Sequence, residues 1–278
     1  YNYKPDLIVL GHADLISKEQ IAELREDYPN TKFCQWFLDP LNKKGPDFER
    51  NKKRILDKIE VVDTTFLTTS PDVLDFLNKN KSFYIPNPSD QSFETLNNFN
   101  KSCNVDVFFA LSHGVHRGVL KSGKIDDRIL FLNNLKNNTP NVKFDIYGID
   151  KIQPIWADHY FKTISNAKMG LNLSRGEAIK YYSSDRITQI VGNGLVCLID
   201  EKTSYRNFFN DDEMVFYKSI NDLSEKISRI SSDERLRKKI ARKGKYKYMK
   251  YFNSDLVSEY IIDKTLDIKS NKKYLWEK

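Results

Sequence analysis

Sulfur is scarce in this chain: three cysteines and three methionines in 278 residues. Cys34, Cys103 and Cys197 are odd in number and far apart, with no zinc-type spacing, so neither a disulfide framework nor a cysteine metal site is expected. That usage fits a reducing, cytoplasmic setting. Long apolar runs are missing too. The longest, at 7–10, 107–111 and 195–199, are strand-length and fall well short of the roughly 18 residues a membrane span requires. No Gly-x-Gly-x-x-Gly turn with a following carboxylate occurs, which ranks an NAD-dependent oxidoreductase low. The first residues show no signal-peptide pattern, so none is expected within this stretch. The chain begins Tyr-Asn-Tyr-Lys-Pro-Asp rather than with Met, and a trimmed chain or fragment is the expectation.

What is present points to a globular α/β protein. Hydrophobic residues make up 40% and charged residues 30%, which excludes a disordered chain, and the length favours two domains over one. Net charge is +7, with a dense basic run from Arg235 to Lys250. A solvated helix face is favoured there, because Leu236, Ile240 and Met249 give only a narrow buried stripe. Peripheral contact with an anionic membrane, on its inner face, ranks second. Nucleic acid ranks last, since no stacking-aromatic motif accompanies the charge.

Strand and helix patterns alternate along the whole chain, the signature of parallel sheets with crossover helices. Strands are expected at 6–10, 33–37, 62–67 and 82–85, with helices at 18–27, 54–59 and 71–78. Pro86-Asn87-Pro88 can continue neither helix nor central strand and marks a boundary. The rhythm resumes with strands at 105–111 and 142–146 and helices at 125–135, 160–166, 220–228 and 233–251. The expected architecture is two Rossmann-like lobes: residues 1–88, a linker at 89–104, residues 105–260, and a tail at 261–278. Four strands are few for a doubly wound lobe. The first lobe is therefore expected to be short or truncated, with an opening β-α-β unit outside the chain or lost.

The segment from Met169 to Asp200 is the most informative. It reads as a buried strand, a polar loop, a helix opened by Ser183-Ser184-Asp185, a Gly192-Asn193-Gly194 stop and a second buried strand. Hydroxyls, unpaired N–H groups and Arg186 would gather at one helix N-terminus, where roughly half a positive charge favours an anion such as a diphosphate. An ordinary capped helix is the alternative. Arg186 reads as a diphosphate ligand or as an ion-pair partner of Asp185 or Glu177. Ser183 and Ser184 read as phosphate donors or caps, and Asp185 as a cap. In His113-Gly114-Val115-His116-Arg117-Gly118, the glycines let backbone approach a phosphate that Arg117 could clamp, with His116 as a neighbouring donor. Tyr147-Gly148 closes a strand and faces a base or merely packs. Tyr181 and Tyr182 flank a ligand or shield the loop. His12, after the first strand, is a candidate general base and Asp39 its rival. His159 reads as structural.

Two lobes, the Pro-Asn-Pro hinge, the glycine loop after the first strand of lobe two, and the string Leu171-Asn-Leu-Ser-Arg…Ser184-Asp-Arg-Ile-Thr-Gln-Ile-Val-Gly-Asn-Gly194 together resemble the GT-B glycosyltransferases. The likeness is in particular to the group-1 type resembling spore maturation protein CgeB. It covers lobe two from about 105 to 260, and lobe one loosely through 4–12 and 36–40. The resemblance implies a nucleotide-sugar donor on lobe two, an acceptor on lobe one, and catalysis with no metal or other cofactor. It also implies a carboxylate on the donor ribose a few residues before the glycine turn, where this chain has Gln189. An amide can accept one hydrogen bond and donate another but loses charge-assisted strength. Glu177 is the nearest available replacement. The expected activity is metal-independent transfer of a sugar to a hydroxyl on a glycan, lipid or protein. A non-catalytic nucleotide- or sugar-binding protein that keeps the fold is the alternative.

Overall fold

The computed structural model describes residues 3–112 and 126–277. Gly114, His116 and Arg117 lie outside the described residues. Strands β1 (Leu7–Gly11), β2 (Lys32–Phe37), β3 (Thr64–Leu67) and β4 (Ser82–Tyr84), with helices α1 (Lys18–Asp27) and α2 (Phe48–Ile59), precede the double proline. After it come β5 (Val105–Ala110), α3 (Asp127–Asn138), β6 (Phe144–Tyr147), α4 (Ala157–Ile164), β7 (Ala167–Asn172) and α5 (Arg186–Gly192). The chain continues with β8 (Val196–Asp200), β9 (Val215–Tyr217), α6 (Ile220–Ser232), α7 (Glu234–Tyr251) and α8 (Ser254–Thr265). Two compact units result. One gathers Tyr1–Pro88, Gly176–Ser184 and Tyr251–Lys278; the other gathers Ser89–Arg175 and Asp185–Lys250.

The first unit holds a parallel sheet in the order β1-β2-β3-β4. Its strands bury both faces by period-2 alternation. On one face Phe33 packs with Ile21 of α1, and Phe37 with Ile55 of α2. On the other, Phe66 meets Tyr260 of α8 edge-on, and the Thr64 and Thr265 hydroxyls are 2.8 Å apart. Residues 251–260 therefore belong to the first unit, not the second, and the stretch expected as a tail packs there too, through Thr265, Tyr274 and Trp276. The second face of a four-stranded sheet needs a cover, and α8 supplies it, backed by the rings of Tyr274 and Trp276. The helix expected at 71–78 is only a 3-10 turn, Pro71–Val73. Leu74 and Leu77 have helical spacing, but an irregular segment buries both.

The second unit holds a parallel sheet in the order β6-β5-β7-β8-β9. Val107, Phe109, Met169, Leu171, Val196 and Leu198 point into a core shared with α3, α6 and α7. On the opposite face Gly170 lets α5 sit directly on β7, since a Cβ there would lie 2.4 Å from a methylene of Ile190. The stretch read as a polar linker is instead tied down, with Glu94, Asn98, Phe99 and Cys103 buried. Its carbonyls are capped by two cations of α7: Arg237 donates to Asn98 and Lys101, and Lys245 donates to Glu94 and Leu96. The basic run thus splits. Arg235, Lys239, Arg242 and Lys243 form a solvated face, while Arg237 and Lys245 are buried. All three cysteines are free and buried. Among the described residues no helix is long and apolar enough to cross a membrane.

Candidate functional site

The order of the second sheet reverses between β5 and β7: the chain moves outward to β6 on one side and through β8 to β9 on the other. At such a switch point, ligands of open parallel sheets bind outside the carboxyl ends of the strands. Arg186 sits there. Its Nε donates to the carbonyl of Ala110, the last residue of β5, at 3.1 Å. Its Nη1 donates at 3.2 Å to the carbonyl of Leu173, just beyond β7. The guanidinium lies 5.1 Å over the ring of Phe109, a cation–π contact that holds its plane. One cation is therefore fixed across the two strand ends by backbone and ring contacts.

Beside it opens a cavity of about 300 Å³. Ala110, Leu111 and Ser112 form one wall, Arg186 and Gln189 of α5 a second, and Trp156 and Tyr160 a third. Trp156 borders the cavity and is 60% exposed, so a large aromatic residue stands uncovered beside it. Burial pushes the Tyr160 phenol well above its usual range, so it stays neutral. Tyr147 ends β6 beside the same wall, and Gly148 follows it. Leu111 donates its N–H to the Tyr147 carbonyl at 3.0 Å, and a Cβ on Gly148 would lie 1.8 Å from the Leu111 oxygen. Gly148 also has φ +76°, which favours glycine. Tyr147 rests against the rings of Phe108 and His159, and burial raises its phenol pKa.

Gln189 is held from behind. Its Nε2 donates to Glu94 at 2.9 Å, and the other Glu94 oxygen accepts the Asp90 N–H at 2.7 Å. Burial pushes the Glu94 carboxyl up, opposed by the Asp90 N–H and by the Lys245 ammonium. The carboxylate next to Gln189 is thus Glu94, hidden in the supposed linker, whereas Glu177 is exposed and paired with Lys44 at 3.1 Å. Gly192 makes room for it, since a Cβ there would lie 2.3 Å from Glu94 Cγ and 2.7 Å from its Cβ. Those atoms are close to the backbone and cannot swing away freely. We expect Gly192→Ala to lower stability by about 1–3 kcal/mol, the usual cost of overpacking. An unchanged thermal midpoint would mean that Glu94 yields without cost.

The residues expected at the start of α5 divide between the units. Glu177, Tyr182, Ser183 and Ser184 belong to the first unit, Arg186 and Gln189 to the second. The first unit stitches that loop down through backbone contacts: Asn42 donates to the Glu177 carbonyl, Ser70 N–H to that of Lys180, and Asn87 to that of Ser183. Lys180 pairs with Asp72. Tyr181 there adopts φ +60°, and both Tyr181 and Tyr182 are buried. The Ser183 hydroxyl donates to the Ser184 carbonyl at 2.9 Å, and Asp185 makes no side-chain cap bond. The helix therefore starts without the side-chain cap expected of it.

In the first unit, Arg54 of α2 gathers the acceptor-side candidates. It donates to Asp39 at 2.7 Å, to Asp14 at 2.6 Å, and to Nδ1 of His12 at 2.8 Å. A guanidinium can only donate, so Nδ1 is the acceptor and the neutral ring carries its proton on Nε2. His12 then presents a donor until Arg54 moves, while Asp39 keeps a second oxygen. Arg54 holds the Asp14 carboxyl below its usual range, mainly through its hydrogen bond. Among the described residues no group of three or more His, Cys, Asp or Glu could hold a metal ion.

Sequence reasoning missed Arg54, Glu94 and Trp156. The polar context of Glu94 and the isolated position of Trp156 carry no periodic signal. Arg54 was visible only as the start of a helix.

Residues 128–263 match the family model described as Glycosyl transferase-like. No curated protein matches the sequence. Similar solved structures include TarM, at 12% identity and a TM-score of 0.65 over 95% of this chain and 55% of TarM. Another is Anabaena HepE in complex with UDP and glucose, at 8% identity and a TM-score of 0.63 over 95% of this chain and 78% of HepE. The fold is that of the GT-B glycosyltransferases. Sucrose-phosphate synthase from Thermosynechococcus elongatus shares it at 12% identity and a TM-score of 0.57, over 94% of this chain and 73% of the synthase. The chain spans about 55% of the length of TarM.

Proposed function

We propose that this chain is a Leloir-type glycosyltransferase that moves a sugar from a nucleotide-sugar donor to a hydroxyl on a glycan, lipid or protein. The observation that carries the reading is Arg186, fixed across the ends of β5 and β7 at the mouth of a cavity. When the glycosidic bond to the diphosphate breaks, negative charge grows on the departing phosphate. A preorganised guanidinium beside that oxygen stabilises the charge without reorganising. Trp156 offers a face on which a nucleobase can stack, and Gln189 a polar group for the sugar of the nucleoside. UDP is the first nucleotide to test, since the HepE complex holds UDP. The CgeB-type likeness rests on the hinge, the glycine loop and the string from Leu171 to Gly194 together.

On the acceptor side, Asp39 is the better-placed base, with His12 behind it. Gly114, His116 and Arg117 remain candidates for the phosphates, and Ser183, Ser184 and Tyr182 for the donor-side loop. Neutralisation falls to Arg186 rather than to a metal, so EDTA is expected to leave UDP affinity unchanged within about twofold. An EDTA-dependent loss in calorimetry would contradict that. The exposed face of α7 suits an anionic membrane if the acceptor is a lipid.

Phosphorus NMR of UDP-glucose, mixed with the protein and a panel of glycan and lipid acceptors, tests the activity. Release of UDP that depends on acceptor is expected. One observation favours the rival reading of a non-catalytic binder: Arg54 occupies both His12 and Asp39. Donor that binds but stays intact with every acceptor would support it.

A further inference from the structure

We propose that Glu94 is a positioning residue that fixes the polarity of the Gln189 amide, so that this wall of the cavity accepts a hydrogen bond and selects a ligand that donates one, as a ribose hydroxyl does. The inference rests on the nucleotide reading of the cavity.

An amide can present either its oxygen or its NH2, and the two are alike in shape. What stands behind it decides. An ionised carboxylate can only accept, and Glu94 already uses one oxygen for the Asp90 N–H. Its other oxygen therefore requires the Gln189 NH2, as the 2.9 Å contact has it. Gln189 Oε1 is left for the cavity that the residue lines, and no partner among the described residues engages it. Glu94 cannot turn away. It is 4% exposed, wedged over Gly192, and its own carbonyl is held by the buried Lys245. The amide thus gains a defined direction from a carboxylate that does not itself line the cavity.

Glu94→Gln reverses that direction while keeping shape. The new amide must give its oxygen to the Asp90 N–H, which leaves its NH2 facing Gln189. Gln189 then turns its oxygen inward and its NH2 outward. A hydroxyl can meet either group, but fluorine cannot donate, so fluorinated nucleotides report the change. The probes are UDP and its 2′- and 3′-deoxyfluoro analogues, titrated by calorimetry at pH 8 to keep the carboxyl ionised.

The wild-type protein is expected to prefer UDP over one analogue by about 10-fold, the upper worth of a neutral hydrogen bond. Glu94→Gln should shrink that ratio to within about twofold of unity, and the double variant E94Q/Q189E should restore it, because a carboxylate at 189 again accepts. Gln189→Met, which leaves Glu94 in place, should abolish the preference and serves if E94Q does not fold. An unchanged ratio in E94Q, or one that survives Gln189→Met, overturns the inference alone. Failure of the wild-type protein to prefer UDP over either analogue also overturns it. If the wild type binds no UDP, GDP or ADP at all, the nucleotide reading itself falls, and this inference with it.

Discussion

Arg186→Ala is expected to weaken UDP binding by about 10- to 150-fold, the worth of roughly 1.5–3 kcal/mol for a hydrogen bond to a charged group. The side chain bridges the carbonyls of Ala110 and Leu173 and stacks over Phe109. Its loss therefore removes a cation from the cavity and also the clasp between β5 and β7. Some loss of stability should accompany the loss of affinity. Arg186→Lys separates the two: it keeps a charge but cannot span both carbonyls with a planar fork. We expect Lys to recover part of the binding and little of the stability. Calorimetry with UDP, beside a thermal melt of each variant, reads both. A lower melting midpoint with unchanged affinity would assign Arg186 to the sheet alone.

Arg237→Ala should cost about 1.5–3 kcal/mol of stability, the scale for hydrogen bonds to a charged group. Arg237 is fully buried in α7. It donates to the carbonyls of Asn98 at 2.7 Å and Lys101 at 2.9 Å, and pairs with Glu234. Alanine would take the guanidinium from the Lys101 carbonyl, leave the Asn98 carbonyl only the long Lys101 N–H and Cys103 thiol contacts at 3.4 and 3.8 Å, and open space beneath the segment that carries Glu94. A single ammonium cannot reach both carbonyls in the same geometry, so Arg237→Lys is expected to fall between. Urea denaturation followed by tryptophan fluorescence checks this. A shift worth less than about 1 kcal/mol would show that the segment is held by its apolar contacts, chiefly Phe99.

The alternation of short apolar strands with amphipathic helices was enough to anticipate an α/β fold with two parallel sheets, because side-chain period reports local structure directly. It could not say which sheet a helix would join. α8 follows α7 in the chain yet covers β3 and β4, since Tyr260 meets Phe66 and Phe83. Nothing in the period of α8 distinguishes that destination. Buried cations were equally hidden. Arg237 and Lys245 look like members of a solvated run until their carbonyl partners, about 140 and 150 residues away in sequence, are known.

At the candidate site, Arg186 and Gln189 were readable from the polar opening of a helix between two buried strands, and they line one cavity. The serines ahead of them read as part of the same helix start, but their loop is fastened to the first unit by Asn42, Ser70 and Asn87. Local sequence cannot show a loop changing its allegiance at Ser184. Glu94 was unreadable for a related reason. A carboxylate in a polar stretch looks solvated, and only Gly192 opposite, which a turn also explains, leaves room for it.

A crystal structure of the protein with UDP tests the central claim most directly. We predict the diphosphate within hydrogen-bond distance of Arg186, the base against Trp156 and a ribose hydroxyl on Gln189. UDP bound elsewhere, with the Arg186 guanidinium making no contact to it, would contradict it.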